Sequence, residues 1–148
     1  MTLLELKSVT KRYGDHLALS EVNLAVPSKS RTAIVGPSGS GKTTLLRIIA
    51  GFENPDSGQV LLEGQDLTRI PAHRRGIGYV AQEGALFPHL SIAENIGFGL
   101  ERSDPTRRVR ITELMDPEGL PATMRDRRPH ELSGGQQQRV AIARAVVA

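Results

Sequence analysis

The sequence predicts an α/β fold built around a phosphate-binding loop, and three observations lead to this prediction. Residues 36–44 read GPSGSGKTT and fit the pattern G-x-x-x-x-G-K-[ST] at every fixed position. The apolar segment before the loop has the length of a short buried strand, and the apolar residues after it recur at helical spacing. Near the N-terminus, apolar and polar residues alternate as they do in antiparallel strands.

Three strands are predicted before the loop, and one helix after it. Two half-buried strands follow from the alternation of apolar residues over residues 4–7 and 22–26, and residues 32–35 predict a buried strand that enters the loop. The helix that leaves the loop is predicted to end at Gly51. It is predicted to bury the apolar side chains of Leu45, Leu46, Ile48 and Ile49.

The remaining elements divide the chain into three parts. A turn at 54–58 precedes a strand at 60–62, and residues 77–80 predict a further strand. Ser91 and Glu94 have the spacing of a capping box, so a helix is predicted to begin there. Helix signals dominate from about residue 83 to 130. We therefore expect one partial domain over 1–148, with a β subdomain and phosphate-loop core at 1–82, a helical subdomain at 83–131 and a terminal helical segment at 132–148.

The phosphate-loop motif predicts binding of a polyphosphate. Glycines let successive backbone N–H groups point at phosphate oxygens, and the helix start adds the positive end of its dipole. Lys42 is expected to face the β- and γ-phosphates, and the Thr43 hydroxyl to bind Mg²⁺. The alternative is a flexible Gly/Ser turn with an incidental lysine. The candidate contacts are Gly36, Pro37, Ser38, Gly39, Ser40, Gly41, Lys42, Thr43 and Thr44.

A second motif stands immediately before the last helical run of the chain. It consists of Leu132, Ser133, Gly134, Gly135 and Gln136. Ser133 and Gln136 have capping-box spacing, so the motif has a purely structural interpretation as a helix start. Two glycines, however, are poor residues for a first helical turn. They are suited to the close approach of a phosphate to backbone N–H groups, which is the functional interpretation.

Composition excludes several classes of protein. The sequence holds no cysteine, which excludes disulfides and thiolate metal sites, and no apolar run reaches the length of about 20 residues that a membrane span needs. The net charge is +3 and the isoelectric point is about 9.7. Yet the arginine-rich region 101–131 carries seven basic and seven acidic residues, so it predicts a solvated helical surface and not a nucleic-acid site.

The loop GPSGSGKTT, the segment YVAQ at 79–82 and the motif LSGGQQQR, in that order, resemble the nucleotide-binding subunits of ATP-binding cassette transporters over the whole chain. The resemblance implies a P-loop fold of cassette type that binds ATP and Mg²⁺. It implies that Tyr13 stacks on adenine, with a packed strand-end aromatic as the alternative, and that Gln82 contacts Mg²⁺ and the attacking water. It also implies that the LSGGQ signature, through Ser133 and Gly135, contacts the γ-phosphate held by a second copy in an ATP-sandwich homodimer.

Within that family, residues 83–90 and the capped helix after them are similar to importer subunits that work with a periplasmic binding protein, most of all those for ferric iron. Sibling importers for sulfate, polyamines, phosphonates or sugars are the alternatives. The resemblance implies transmembrane permease subunits as partners, no nucleic acid, and a peripheral position on the cytoplasmic face of the inner membrane. His89 stands beside a proline without a partner at ligand spacing, so we interpret it as a surface residue and not a metal ligand.

One departure from the family concerns catalysis. The family's Walker B aspartate, the glutamate that polarises water and the switch histidine have no counterpart after Ala148, and His16 precedes the loop and cannot serve as the switch. We therefore expect a fragment or a natural truncation in which the C-terminal part of the core is absent and hydrolysis is lost. A soluble cassette ATPase acting on nucleic acid or ribosomes, and a non-catalytic nucleotide-binding module, are the competing interpretations.

Overall fold

The computed structural model describes residues 1–81 and 86–147 of the chain. The chain divides into two compact units, Met1–Ile77 and Gly78–Ala148. The first unit combines a sheet with a helix, and the second is helical in its described residues. The predicted α/β class is therefore confirmed.

A four-stranded antiparallel sheet forms the framework of the first unit. Its strands are β1 (Thr2–Tyr13), β2 (His16–Pro27), β3 (Ser57–Leu62) and β4 (Gln65–Asp66). Their order in the sheet is β2-β1-β3-β4. β1 and β2 form a long hairpin, with Tyr13 opposite His16 at the turn. The alternating patterns at 4–7, 22–26 and 60–62 fall within strands, so these three predictions are confirmed.

Helix α1 (Lys42–Ala50) packs on this sheet. Leu45, Ile48 and Ile49 are buried, because positions i, i+3 and i+4 of a helix share one face. The prediction that Leu46 is buried is wrong: its side chain is 45% exposed, since one residue rotates the helix by about 100° away from that face. The core that they join contains Leu6, Val9, Leu19, Leu45, Ile48, Ile49 and Val60.

Gly51 ends α1, as predicted. Its φ of 95° is left-handed, and its N–H donates to the carbonyl of Arg47 at 3.0 Å. Phe52 N–H donates to the same carbonyl at 2.9 Å. These two bonds close the last turn in the way that a C-terminal glycine permits.

Two predicted strands are not found. In the described part of the chain, residues 32–35 and 77–80 belong to no strand, so both predictions are wrong. Val35 is 88% exposed, which a buried strand does not allow. An apolar run forms a strand only where neighbours accept its backbone hydrogen bonds, and the four described strands pair with one another instead.

The described part of the second unit contains three α-helices. They are α2 (Ile92–Ile96), α3 (Arg107–Met115) and α4 (Gly134–Val147), with 3-10 turns at Gly97–Gly99, Ala122–Met124 and Pro129–Glu131. Their shared core contains Ile92, Ile96, Ile111, Met115, Leu120, Leu132, Val140 and Ala143. In the ranges that the structure describes, no helix combines the length and the hydropathy that crossing a membrane requires.

The start of α2 confirms the predicted capping box. Ser91 Oγ accepts from Glu94 N–H at 3.1 Å, and Glu94 Oε2 accepts from Ser91 N–H at 2.8 Å. One turn later, the fully buried Asn95 holds the loop before the helix. Its amide group donates to the carbonyls of Phe87, Leu90 and Ser91 at 3.2, 3.3 and 3.0 Å and accepts from Phe87 N–H at 2.8 Å. Residues 87–91 thus have a defined conformation.

Candidate functional site

The phosphate-loop motif forms an exposed turn that leads directly into α1. Gly39 and Gly41 have φ values of 82° and 96°, a left-handed conformation that favours glycine. No side chain caps the helix after Gly41. Its first backbone N–H groups have no acceptor within the helix, and the positive end of the helix dipole lies at the same place. This end of α1 is therefore suited to bind an anion.

Gly41 also brings the loop against the β1–β2 hairpin. A Cβ on Gly41 would lie 2.6 Å from the Ala18 carbonyl oxygen and 3.0 Å from a methyl carbon of Leu19. Within the loop, a Cβ on Gly36 would lie 2.8 Å from Ser40 Oγ. Only glycine allows these two approaches without displacing a neighbour.

The side chain of Lys42 turns back into the loop. Its ammonium group donates to the carbonyls of Gly36 and Pro37, the latter at 2.8 Å, and lies 3.5 Å from Ser40 Oγ. The positive charge is therefore held inside the turn. An anion that accepts from the N–H groups of α1 would meet this charge as well, and charge-assisted hydrogen bonds are the stronger kind.

Thr43 is exposed in the first turn of α1, whereas Thr44 is partly buried. Over residues 1–81 and 86–147, the structure contains no group of three or more His, Asp or Glu side chains that could hold a metal ion. A divalent cation at the loop would therefore depend on a hydroxyl oxygen and on the phosphates of a ligand. Oxygen atoms of these kinds are ligands that Mg²⁺ accepts, so the residues present fit the ion.

Tyr13 lies at the turn of the hairpin and is 43% exposed. Lys11 Nζ lies 5.2 Å from the ring centroid, a cation–π distance, and is held there by ion pairs to Glu53 at 3.7 Å and Asp56 at 3.8 Å. Tyr13 takes no part in the buried core of the first unit. Its stacking on a purine stays a prediction, which this exposure allows.

The signature motif begins α4 as a reciprocal capping box. Ser133 Oγ accepts from Gln136 N–H at 3.2 Å, and Gln136 Oε1 accepts from Ser133 N–H at 3.0 Å. Leu132 is buried in the core of the second unit. Gly134 and Gly135 differ from the loop glycines, because a Cβ on either would meet no described atom within 4 Å. Packing among the described residues therefore does not explain these two glycines.

The predicted site residues are divided between the two units of the chain. Tyr13 and the phosphate loop belong to the first unit, where the contact between Ala18 and Gly41 joins the hairpin to the loop. The signature motif belongs to the second unit. Gln82 and the adjoining residues 83–85 lie outside the described residues. His89 is exposed and meets the Phe87 ring edge-on, with centroids 6.0 Å apart.

Arg75 contacts the C-terminal end of α1, and sequence analysis predicted no role for it. It is only 4% exposed, and its guanidinium donates to four backbone carbonyls. These are Ile70 at 2.7 Å, Ile48 at 2.9 Å, Ile49 at 3.0 Å and Thr68 at 3.2 Å. Burial lowers the pKa of Arg75, while the charge of Asp66 opposes this shift. No local signal in the run AHRRG indicates that its second arginine is buried.

A family model and several known proteins are similar to this chain. The family model described as ABC transporter matches residues 19–148. The chain is 61% identical over 150 residues to the Fe(3+) ions import ATP-binding protein FbpC of Mesorhizobium japonicum and 59% identical to that of Pseudomonas fluorescens. Each alignment covers 99% of this chain but 42% of the relative, so the chain spans less than half the length of either protein.

Solved structures show the same similarity. The dimeric structure of MJ0796, a bacterial ABC transporter cassette, superposes with a TM-score of 0.89 at 37% identity, covering 98% of this chain and 69% of that one. A dimeric post-hydrolysis state of the same cassette, bound to ADP and Pi, gives a TM-score of 0.86 at 36% identity with the same coverage.

Proposed function

The chain belongs to the ABC transporter family, and we propose that it serves as the ATP-binding subunit of an importer, coupling ATP binding and hydrolysis to the uptake of ferric iron. The observation that carries the nucleotide part is the phosphate loop, where left-handed glycines, an uncapped helix start and the Lys42 ammonium meet. The iron part is supported by two relatives described as Fe(3+) import proteins.

ATP would lie across the first unit. The triphosphate accepts from the N–H groups at the start of α1 and from Lys42, and the adenine stacks on the exposed ring of Tyr13. The hairpin contact at Gly41 supports this arrangement, since it joins the end of the sheet that carries Tyr13 to the loop. The other loop residues, from Gly36 to Thr44, surround the phosphates.

Thr43 and Gln82 would hold Mg²⁺, with the nucleotide phosphates as further ligands. When bound, the ion neutralises negative charge that develops on the γ-phosphate. Lys42 would share that task. In the assembled importer, water would attack the γ-phosphorus in line: one P–O bond forms, the bond to the β-phosphate oxygen breaks, and ADP and inorganic phosphate leave.

The signature motif would act on a second copy of the chain. Ser133 retains a hydroxyl proton that it can donate, and the backbone at Gly134 and Gly135 is open to an approaching phosphate. We propose that these residues contact the γ-phosphate held by the partner copy. The dimeric state of the similar cassette MJ0796 supports this assembly.

Hydrolysis needs more than these residues. The 148 residues contain no counterpart of the family's Walker B aspartate, its adjacent glutamate or its switch histidine. We propose that this polypeptide by itself binds Mg-ATP without turning it over. In the working importer the subunit would lie on the cytoplasmic face of the membrane, against permease subunits that receive iron from a periplasmic binding protein.

The test of the iron assignment uses the assembled importer in lipid vesicles. ATP hydrolysis is expected to rise when the iron-loaded binding protein is added, and to be lost in the Lys42→Ala variant. Stimulation by a sulfate- or polyamine-loaded binding protein, with none by the iron-loaded one, would assign the subunit to a sibling importer.

A further inference from the structure

Arg75 carries a charge whose burial has a cost. A guanidinium that is 4% exposed has lost most of its hydration, and burying a cation is unfavourable unless hydrogen bonds replace the water. No carboxylate lies within ion-pair distance of Arg75 among the described residues. Hydrogen bonds to four backbone carbonyl oxygens replace the water that the guanidinium has lost. Four of the five N–H donors of Arg75 thus have carbonyl acceptors, which ties the positions of the segments that supply those carbonyls to one another.

Two of those carbonyls belong to the C-terminal end of α1. Ile48 and Ile49 lie in the last turn, where carbonyls have no partner within the helix. Arg75 Nη1 donates to both, while Nε and Nη2 donate to Ile70 and Thr68 of the segment after β4. The planar fork therefore fastens the helix end to that segment. Gly51 fits closely beside it, since a Cβ there would lie 2.6 Å from Arg75 Nε.

The opposite end of the same helix carries the phosphate-binding groups. α1 has nine residues, which makes it about 13 Å long. For a rigid rod of that length, a tilt of about 5° at one end moves the other end by about 1 Å, an error that can lower the rate of a positioned reaction about 100-fold. No side chain caps the start of α1. Its buried face and Gly41 hold α1 against the sheet, and Arg75 adds an attachment at the far end that also bears on the orientation of the helix.

We propose that Arg75 is a positioning residue for the polyphosphate: by fixing the C-terminal end of α1, its fork sets where Lys42 and the first N–H groups of the helix meet the nucleotide. This inference rests on the proposed ATP-binding function and adds a residue that does not touch the ligand. The positioning of α1 depends on the planar geometry of the guanidinium and not on its charge alone. A lysine keeps the charge but lacks the planar arrangement of donors, so it cannot replace Arg75.

The experiment measures Mg-ATP binding by calorimetry on the full chain and on Arg75→Lys, below the melting temperature of each protein. Arg74→Lys is the matched control, because Arg74 is the exposed residue immediately before Arg75 and ends the short 3-10 turn Ala72–Arg74. We expect affinity to fall about tenfold in Arg75→Lys, as when a charge-assisted contact is misplaced, and to stay within about twofold in the control. AMP, which lacks the β- and γ-phosphates, should bind both variants like the unchanged chain.

A double-mutant cycle separates positioning from stability. Sites that do not share a contact normally contribute additively. If Arg75 acts through the start of α1, Lys42→Ala should weaken binding less in the Arg75→Lys background than in the unchanged chain. Equal Mg-ATP affinity for Arg75→Lys and the unchanged chain, full additivity in the cycle, or an equal loss for AMP would each overturn the proposal.

Two further outcomes are also decisive. If neither Arg75→Lys nor Arg75→Gln gives a folded chain, Arg75 serves the fold as a whole and the positioning role is wrong. If Lys42→Ala alone leaves Mg-ATP binding unchanged, the proposed nucleotide function fails, and that failure is distinguishable because it appears without any change at Arg75.

Discussion

At the scale of single residues, Lys42 makes the sharpest prediction. Its ammonium lies among the loop carbonyls, where it would face the β- and γ-phosphates. Lys42→Ala removes one charge-assisted partner while leaving the backbone N–H groups in place. We expect Mg-ATP binding to weaken by about 1.5–3 kcal/mol in calorimetry. Lys7→Ala, at an exposed position of β1, is the control and should bind normally.

Tyr13 predicts a different pattern, because stacking needs a ring and not a hydroxyl. Tyr13→Phe should bind ATP almost as the unchanged chain does, whereas Tyr13→Ala should lose about 1–3 kcal/mol, the range known for aromatic stacking on nucleobases. Titration with ATP and GTP should show similar losses, since every base has a π-face. A Tyr13→Ala chain that binds ATP normally would favour the packing alternative.

Gly135 separates function from stability. A Cβ at Gly135 would meet no described atom within 4 Å and the position is helical, so alanine there should stabilise α4 by up to about 1 kcal/mol through its higher helix propensity. If the signature receives a phosphate from a partner copy, the added methyl should at the same time lower ATP hydrolysis by the assembled importer. Thermal melting and turnover would be measured on the same variant. Unchanged turnover would contradict the role of the signature.

At the scale of elements, the cap of α2 predicts a dependence on pH. The hydrogen bond from the Ser91 backbone lowers the pKa of Glu94 below its ordinary value of 4.5. A carboxyl whose pKa is lower in the folded state stabilises the fold above the unfolded pKa, and this contribution is lost as the pH falls through the folded pKa. The free energy of unfolding should therefore fall below about pH 4.5.

The matched variants are Glu94→Gln and Glu113→Gln. The first removes the titrating group from the cap, so its unfolding free energy should depend less on pH in the acid range. Glu113 lies exposed on α3 and caps no helix, so its variant should follow the unchanged chain. Parallel acid profiles for all three proteins, measured by urea unfolding, would show that Glu94 is not the group responsible.

Elements with local signals were predicted well, and elements that depend on distant partners were not. The capping boxes at Ser91 and Ser133, the hairpin strands and the glycine end of α1 each follow from a few neighbouring residues, and the structure has them. The apolar run 32–35 has an equally clear pattern but forms no strand. A pattern records which residues could pair, whereas a strand also needs a partner strand beside it.

The same limit explains why part of the candidate site escaped sequence analysis. The phosphate loop is a contiguous motif whose chemistry is visible in its residue types. Arg75 looks like its exposed neighbour Arg74 in the sequence, and only the chain folding back to α1 makes it a buried residue with four acceptors. The approach of Ala18 to Gly41 is likewise a tertiary contact, between residues 23 positions apart in the sequence.

At the scale of the whole molecule, we expect binding without turnover. The 148-residue polypeptide carries the phosphate loop and the signature but no counterpart of the residues that orient and polarise water in its family. Its rate of phosphate release from Mg-ATP should equal that of buffer, because water positioning supplies much of the barrier reduction. A rate above buffer that disappears in Lys42→Ala would show that catalytic residues lie within these 148 residues.

The close approach of Gly41 to Ala18 also fixes where the β1–β2 hairpin lies relative to the phosphate loop. Ala18 lies against the phosphate loop and is the bulged residue between Leu17 and Leu19 in the pairing of β2 with β1, while Tyr13 pairs with His16 at the turn nearby. A one-residue slip in this pairing would move a side chain by about 3.4 Å along the strand and turn it to the other face of the sheet. If Tyr13 stacks on a nucleobase, as proposed, this pairing sets the distance between the stacked base and an anion held at the start of α1. Substitutions between Tyr13 and Ala18 should therefore disturb this distance less than an insertion or a deletion would.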